Sequence, residues 1–185
     1  MIEIFNNVFV GSEQDYYTIQ NELDWAILHC CKNPFHCQFV GYRGSLSPKH
    51  PDYAFKRIKN EMALNLVDMD RFSANYLDFN KEMFETAFSF LDEYRNNGYK
   101  LLIHCNQGES RGPTLGMLYV ARLGAFNYVD FDSTVKAFRT AYPFYNPKSN
   151  IYLTTKNLWN YFVEESLQIK SQEKKFKNQK NFVGK

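Results

Sequence analysis

The sequence predicts an α/β protein: a mainly parallel central sheet flanked by helices. Three observations lead there. Short apolar runs alternate with stretches of helical spacing along the chain, the pattern of a sheet covered by helices. One run, Lys100-Leu101-Leu102-Ile103, passes through His104 to Arg111 straight into a helical stretch that begins at Gly112. At 44% hydrophobic and 17% aromatic, the 185 residues hold enough apolar material for one full core.

The elements follow in order. Ile2–Ile4 and Val8–Val10 flank Asn6-Asn7 and predict a hairpin. Ser12 is placed to cap a helix running to about Glu22, with Asp15 three positions on as in a capping box. Trp25–Leu28 predicts a second core strand ending at His29-Cys30-Cys31, and residues 32–60, rich in Pro, Gly, His and basic residues, read as irregular. Ala63–Val67 predicts a third strand with Asp68 directly after it. Asn80 is a candidate cap for an amphipathic helix whose Phe84, Ala87, Phe88, Leu91 and Tyr94 share one face, and Asn96-Asn97-Gly98 stops it. A buried strand at 100–103 and a helix from Gly112 to Leu123, with Pro113 in its first turn, bracket the loop. Helices follow at about Asp132–Tyr142, ended by Pro143, and from near Ser149 with Leu158, Trp159 and Phe162. One domain is expected over 1–168, with a lysine-rich tail over 169–185.

Composition narrows the function. Net charge is +2, yet residues 170–185 hold six lysines and one glutamate, leaving 16 basic and 19 acidic residues elsewhere. The body is therefore slightly acidic, which argues against a nucleic-acid partner. No apolar run reaches about 18 residues, so no membrane span is expected. The opening Met1-Ile2-Glu3-Ile4-Phe5 lacks the layout of a signal peptide, and Cys30, Cys31, Cys37 and Cys105 show no disulfide-framework spacing. A cytoplasmic protein with free thiols is the expectation.

The chemistry is concentrated in His104-Cys105-Asn106-Gln107-Gly108-Glu109-Ser110-Arg111. A loop from the carboxyl end of a strand to the amino end of a helix gathers free N–H groups and the positive end of the helix dipole, which suits an anion. Asn106, Gln107, Gly108, Glu109, Ser110 and Arg111 supply the amides, and Arg111 adds a planar fork for two phosphate oxygens. The same setting favours the thiolate of Cys105, the competent nucleophile. His104 has a supporting role. Cleaving a phosphate ester also needs an acid for the leaving oxygen. Asp68, at the end of a neighbouring strand, is the first candidate, Asp70 a close second and Asp78 a third. No metal or other cofactor is called for, because Arg111 and the amides supply the electrostatics. His29, Cys30, Cys31, His36 and Cys37 have side chains that suit zinc, but their spacing fits no common zinc pattern. Packing is the plainer reading. Cys30 or Cys31, ending a strand beside that of Cys105, is also a possible redox partner for it.

At these residues the sequence resembles the cysteine-dependent protein tyrosine phosphatases, whose motif is His-Cys, five residues, then Arg. It is most similar to the compact dual-specificity branch, and within it to small bacterial and phage-type members. Asn7-Val8-Phe9-Val10-Gly11-Ser12 resembles the family's opening strand, Leu64–Asp68 the strand delivering the general acid, and Tyr142-Pro143 and the Trp159 helix later elements. The resemblance implies a protein tyrosine phosphatase-like fold. It implies hydrolysis of phosphotyrosine, with phosphoserine and phosphothreonine as further candidates, through a phosphocysteine intermediate on phosphorylated protein substrates. It favours Asp68 as the acid, whereas the spacing to Cys105, 37 residues for Asp68 and 35 for Asp70, favours Asp70. The loop lacks the lysines common in phosphoinositide-acting relatives. One departure stands out: the family usually has Ser or Thr directly after the arginine, and this chain has Gly112. That predicts normal phosphocysteine formation and slow breakdown unless Thr114 or a water substitutes. It leaves room for a low-turnover phosphate-binding module, with a phosphatase for a small-molecule or RNA phosphate as a further alternative.

Overall fold

The computed structural model describes residues 1–126 and 130–164. The lysine-rich tail lies outside the described residues. Six strands form one sheet in the order β1-β2-β6-β3-β5-β4: β1 (Ile2–Phe5), β2 (Val8–Gly11), β3 (Trp25–His29), β4 (Phe55–Ile58), β5 (Glu61–Leu64) and β6 (Lys100–His104). The inner four, β2, β6, β3 and β5, are parallel, and the edges β1 and β4 pair antiparallel. The helices are α1 (Glu13–Ile19), α2 (Cys37–Val40), α3 (Leu77–Asn96), α4 (Arg111–Arg122), α5 (Phe131–Ala141) and α6 (Ser149–Trp159). Among the described residues no helix is long and apolar enough to cross a membrane.

Strand periodicity sorts side chains onto two faces. Leu101, Ile103 and Cys105 join the main core with residues of α3 to α6, as do Ala26, Leu28 and Cys30. Leu102, Trp25 and Ile27 point to the other face, where Ile19 and Tyr16 of α1 cover them. Farther along that face Cys31, Phe35 and Ala63 pack together. Because β3 and β6 pair in parallel with His29 opposite His104, both histidines emerge on the α1 face and both Cys30 and Cys105 on the other.

Most expected elements form. The hairpin is present, Asn7 adopting φ 58° in its turn. Ser12 and Asp15 make a reciprocal capping box on α1, which ends at Ile19 rather than Glu22. Four expectations need correction. Residues 32–60 are not irregular throughout: Lys32–His36 forms a helical turn leading into α2, and Phe55–Ile58 is the edge strand that pairs with β5. The third strand stops at Leu64, because the ladder with β4 ends at Phe55 opposite Leu64 and the Leu66 carbonyl instead accepts from Lys32 N and Arg111 Nη1. Asp68 therefore follows the strand by four residues and not directly. Asn80 is no cap: α3 begins at Leu77, after a turn at Ala74–Tyr76, and Asn80 lies buried in its first turns.

Candidate active site

The loop 105–110 crosses from β6 to α4 at the carboxyl edge of the parallel strands, where open α/β sheets bind ligands. Cys105 is buried at its start. Gly108 takes φ 74°, and a Cβ there would lie 2.9 Å from the Gly11 carbonyl carbon and 3.0 Å from Ser12 N. Only glycine lets the loop fold this tightly over the β2–α1 corner. Ser110 occupies the cap position of α4 without capping it. Its hydroxyl turns to Asp68, which leaves the first amides of the helix available to an anion.

Arg111 bends back over the loop. Its Nη2 donates to Asn106 Oδ1 (2.8 Å) and its Nη1 to the Leu66 carbonyl (3.1 Å). Its Nε is buried without a hydrogen-bond partner among the described residues, 3.6 Å from Asp68 Oδ2. A buried guanidinium N–H with one hydrogen bond unmade is a strong site for an anionic oxygen. Asn106 works chiefly as a bracket. Its Nδ2 donates to Asn33 O and Glu13 Oε2, its carbonyl accepts from Glu13 N, and its Oδ1 holds Arg111.

The two aspartates part company. Asp68 accepts from Ser110 Oγ at 2.9 Å, and its side chain is 22% exposed. Asp70 pairs with Lys148 Nζ at 2.7 Å, and its side chain is 80% exposed. Asp68 is thus the carboxylate brought to the loop. Asp78 lies in the first turn of α3.

Gly112 has a steric reason. A Cβ there would meet His104 C at 2.7 Å and Cys105 N at 2.8 Å. Helix α4 is seated so closely on the end of β6 that the position admits no side chain. The Thr114 hydroxyl is engaged elsewhere: its Oγ1 donates to the Ser110 carbonyl (2.7 Å) and lies 3.2 Å from Tyr145 Oη.

Cys30 adjoins Cys105: its amide donates to the His104 carbonyl, so the two lie side by side at the strand ends. Burial pushes the thiols of Cys30 and Cys31 up, that of Cys31 to about 12. The other members of the histidine–cysteine crowd diverge. His36 bonds Tyr42 and the Asp52 carbonyl, and Cys37 donates to Asn33.

Sequence reasoning missed the segment 142–148, which clasps the loop. Tyr142 Oη donates to the Gly108 carbonyl (2.8 Å), Asn146 N to the Glu109 carbonyl (2.9 Å) and Lys148 N to Ser110 Oγ (3.0 Å). The Tyr-Pro pair resembled the family, yet nothing local in 142–148 says that it returns to the loop.

Sheet order, helical layers and the strand–loop–helix centre together define the dual-specificity phosphatase fold. Among solved structures, the chain is similar to DUSP15 (16% identity, TM-score 0.61, 92% of this chain and 95% of that one). It is also similar to the PTP-2 phosphatase of Cydia pomonella (18% identity, TM-score 0.54, 84% and 88%). A third is PTPMT1, solved in complex with PI(5)P (14% identity, TM-score 0.56, 86% and 94%). No protein-family model and no curated protein matches the chain.

Proposed function

We propose that the protein is a cysteine-dependent phosphatase that hydrolyses phosphotyrosine monoesters on proteins, and phosphoserine or phosphothreonine where the pocket admits them. The reading is carried by one observation: the buried Arg111 Nε, unbonded and beside Asp68, at the mouth of a loop that starts at Cys105. The phosphate dianion takes over the Arg111 Nε and the loop amides, which frees Asp68 to face the ester oxygen. The Cys105 thiolate attacks phosphorus. The P–O bond to the leaving group breaks, and that oxygen takes the Asp68 proton. Water, deprotonated by Asp68, then attacks the phosphocysteine and returns the thiolate and inorganic phosphate. Asn106, Gln107 and Glu109 place no lysine in the loop, which supports a phosphoprotein over a polyanionic lipid headgroup. The slightly acidic body weighs against an RNA phosphate.

Hydrolysis of p-nitrophenyl phosphate and a phosphotyrosine peptide tests this. Cys105→Ser should abolish both activities. Asp68→Asn should slow a poor leaving group by about 10²- to 10⁴-fold, the usual weight of general acid catalysis. Asp70→Asn should change little, because an exposed ion pair is worth at most about 1 kcal/mol. If Asp70→Asn carries the large loss and Asp68→Asn does not, the assignment of the acid is wrong.

A second reading draws on Gly112 and the committed Thr114 hydroxyl. With no hydroxyl helping the thiolate leave, the protein is a slow enzyme that holds phosphate longer than it turns it over. A wild type that binds a phosphopeptide but does not hydrolyse it would make it a binding module.

Cys30 is proposed as a guard thiol. Peroxide oxidises the Cys105 thiolate to a sulfenic acid, and the neighbouring Cys30 thiol condenses with it, forming a disulfide and releasing water. Activity lost to peroxide should return with dithiothreitol in the wild type and not in Cys30→Ala. Equal recovery in both would remove Cys30 from this role.

A further inference from the structure

On the α1 face, behind the nucleophile, five groups line up through the core. His104 Nδ1 lies 3.3 Å from the Cys105 carbonyl, and His104 Nε2 is 2.6 Å from His29 Nδ1. His29 Nε2 is 2.8 Å from Glu61 Oε2, and Tyr16 Oη donates to the same oxygen at 3.2 Å. The rings are boxed in: Tyr16 stacks on His104, and Phe35 stacks on His29. Both histidines are fully buried, while the Glu61 side chain is 22% exposed.

The partners fix where the protons sit. A carbonyl only accepts, so His104 must carry its proton on Nδ1 to bond Cys105. Burial holds both histidines neutral, His29 down to about 3 and His104 well below its ordinary value. A neutral His104 with Nδ1–H has a bare Nε2, which must accept from His29 Nδ1–H. His29 then presents a bare Nε2 to Glu61, and only a protonated carboxyl can donate to it. Glu61 is pushed up by its own burial, which favours that form. Two negatively biased acceptors 2.8 Å apart are otherwise untenable.

We propose that Tyr16, Glu61, His29 and His104 form a one-way chain of donors ending on the Cys105 carbonyl, and that the proton on Glu61 sets its direction. Glu61 and His29 are thus positioning residues for the nucleophile. This rests on the reading of Cys105 as the nucleophile. Donation to the Cys105 carbonyl polarises its peptide unit, so the following amide, Asn106 N–H, becomes a stronger donor to the anion in the loop. When Glu61 ionises, the chain releases one proton overall, and each ring passes from Nδ1–H to Nε2–H. His29 then donates to the carboxylate, and His104 turns a lone pair toward the Cys105 carbonyl. That loosens the loop at its first residue. The other groups facing the chain are few. From α1 comes Asp15, tied to Ser12 and the Met1 amine, and Cys31 follows β3 with its thiol pushed up to about 12. The segment 32–40 contributes the uncharged Phe35 and Phe39.

Nitrogen NMR of the full chain with labelled histidine, followed through a pH titration upward from the acid side, tests the direction. In the wild type His104 should be Nδ1–H at the acid end and cross to Nε2–H as pH rises. Glu61→Gln should abolish this crossing and hold one tautomer throughout, because its amide does not ionise. Iodoacetamide labelling of Cys105 tests the link to the thiolate. His29→Phe should react about tenfold more slowly at a fixed acidic pH, as expected for losing a hydrogen bond worth about 1.4 kcal/mol. Glu61→Gln should lose the pH dependence that Glu61 ionisation adds to the labelling rate. An Nε2–H tautomer of His104 at every pH, or a Glu61→Gln variant that titrates like the wild type, overturns the proposal. So does a tautomer switch with no effect on labelling. A switch that behaves as expected around an unreactive wild-type Cys105 would instead defeat the phosphatase reading and leave the chain standing.

Discussion

At the scale of single residues, Gly112 decides the most. Restoring the usual hydroxyl by Gly112→Ser should not speed the second half-reaction, because the new Cβ would press to 2.7 Å on the His104 backbone, which cannot swing aside. The expected result is a loss of about 1–3 kcal/mol, as for overpacking elsewhere, read from denaturant unfolding. In the wild type, a rapid-quench experiment should show a burst of product well above the steady rate. A Gly112→Ser protein of full stability with no burst would overturn both statements. That Cys105, Gly108 and Arg111 share one strand-to-helix loop was legible from sequence because they lie within one contiguous motif. That Asp68 and not Asp70 meets the loop was half legible. Its place after an apolar run pointed to it, but the ion pair that pulls Asp70 to Lys148 is made across 78 residues of chain and leaves no local mark. The bracket role of Asn106 was hidden for the same reason.

At the scale of elements, strands and the long helices were readable from periodicity, and their edges were not. Asn80 looked like a cap because it is polar before an apolar stripe, yet α3 begins at Leu77, four residues earlier than an Asn80 cap would start it. The strand β4 was invisible because Phe55-Lys56-Arg57-Ile58 is half polar and earns its place only by pairing at an edge. The clasp 142–148 belongs at this scale as well. Removing one of its bonds by Tyr142→Phe should cost about 1–3 kcal/mol, because the buried Gly108 carbonyl is left unpaired. Since the bond falls on the loop proposed to hold phosphate, KM for p-nitrophenyl phosphate should rise more than global stability falls. An unchanged KM would mean that the loop holds its shape without the clasp.

At the scale of the whole molecule, the central parallel sheet and its helical layers follow from sequence pattern, while stability against acid follows from what the sheet buries. His29, His36 and His104 are all held below their ordinary value of 6.5 by burial. The unfolded chain therefore binds more protons than the folded one below that value. The contribution is fully present above about pH 6.5 and is lost as pH falls toward about 3, where His29 protonates in the fold. Glu61 has the opposite sign, stabilising at low pH and losing that contribution as pH rises through its raised folded value. Three histidines against one carboxyl should lower the melting temperature between pH 7.5 and pH 5, and His29→Phe should flatten that fall. A melting temperature that holds steady over the interval would mean that the histidines are not buried neutral. The clasp, finally, bears on the order of synthesis. Cys105 and Arg111 leave the ribosome well before Tyr142, Asn146 and Lys148, so a growing chain has both residues while the loop between them still lacks its outer bonds. The loop is made early and braced late, and a chain arrested before Tyr142 should carry Cys105 in a loop that nothing yet clasps.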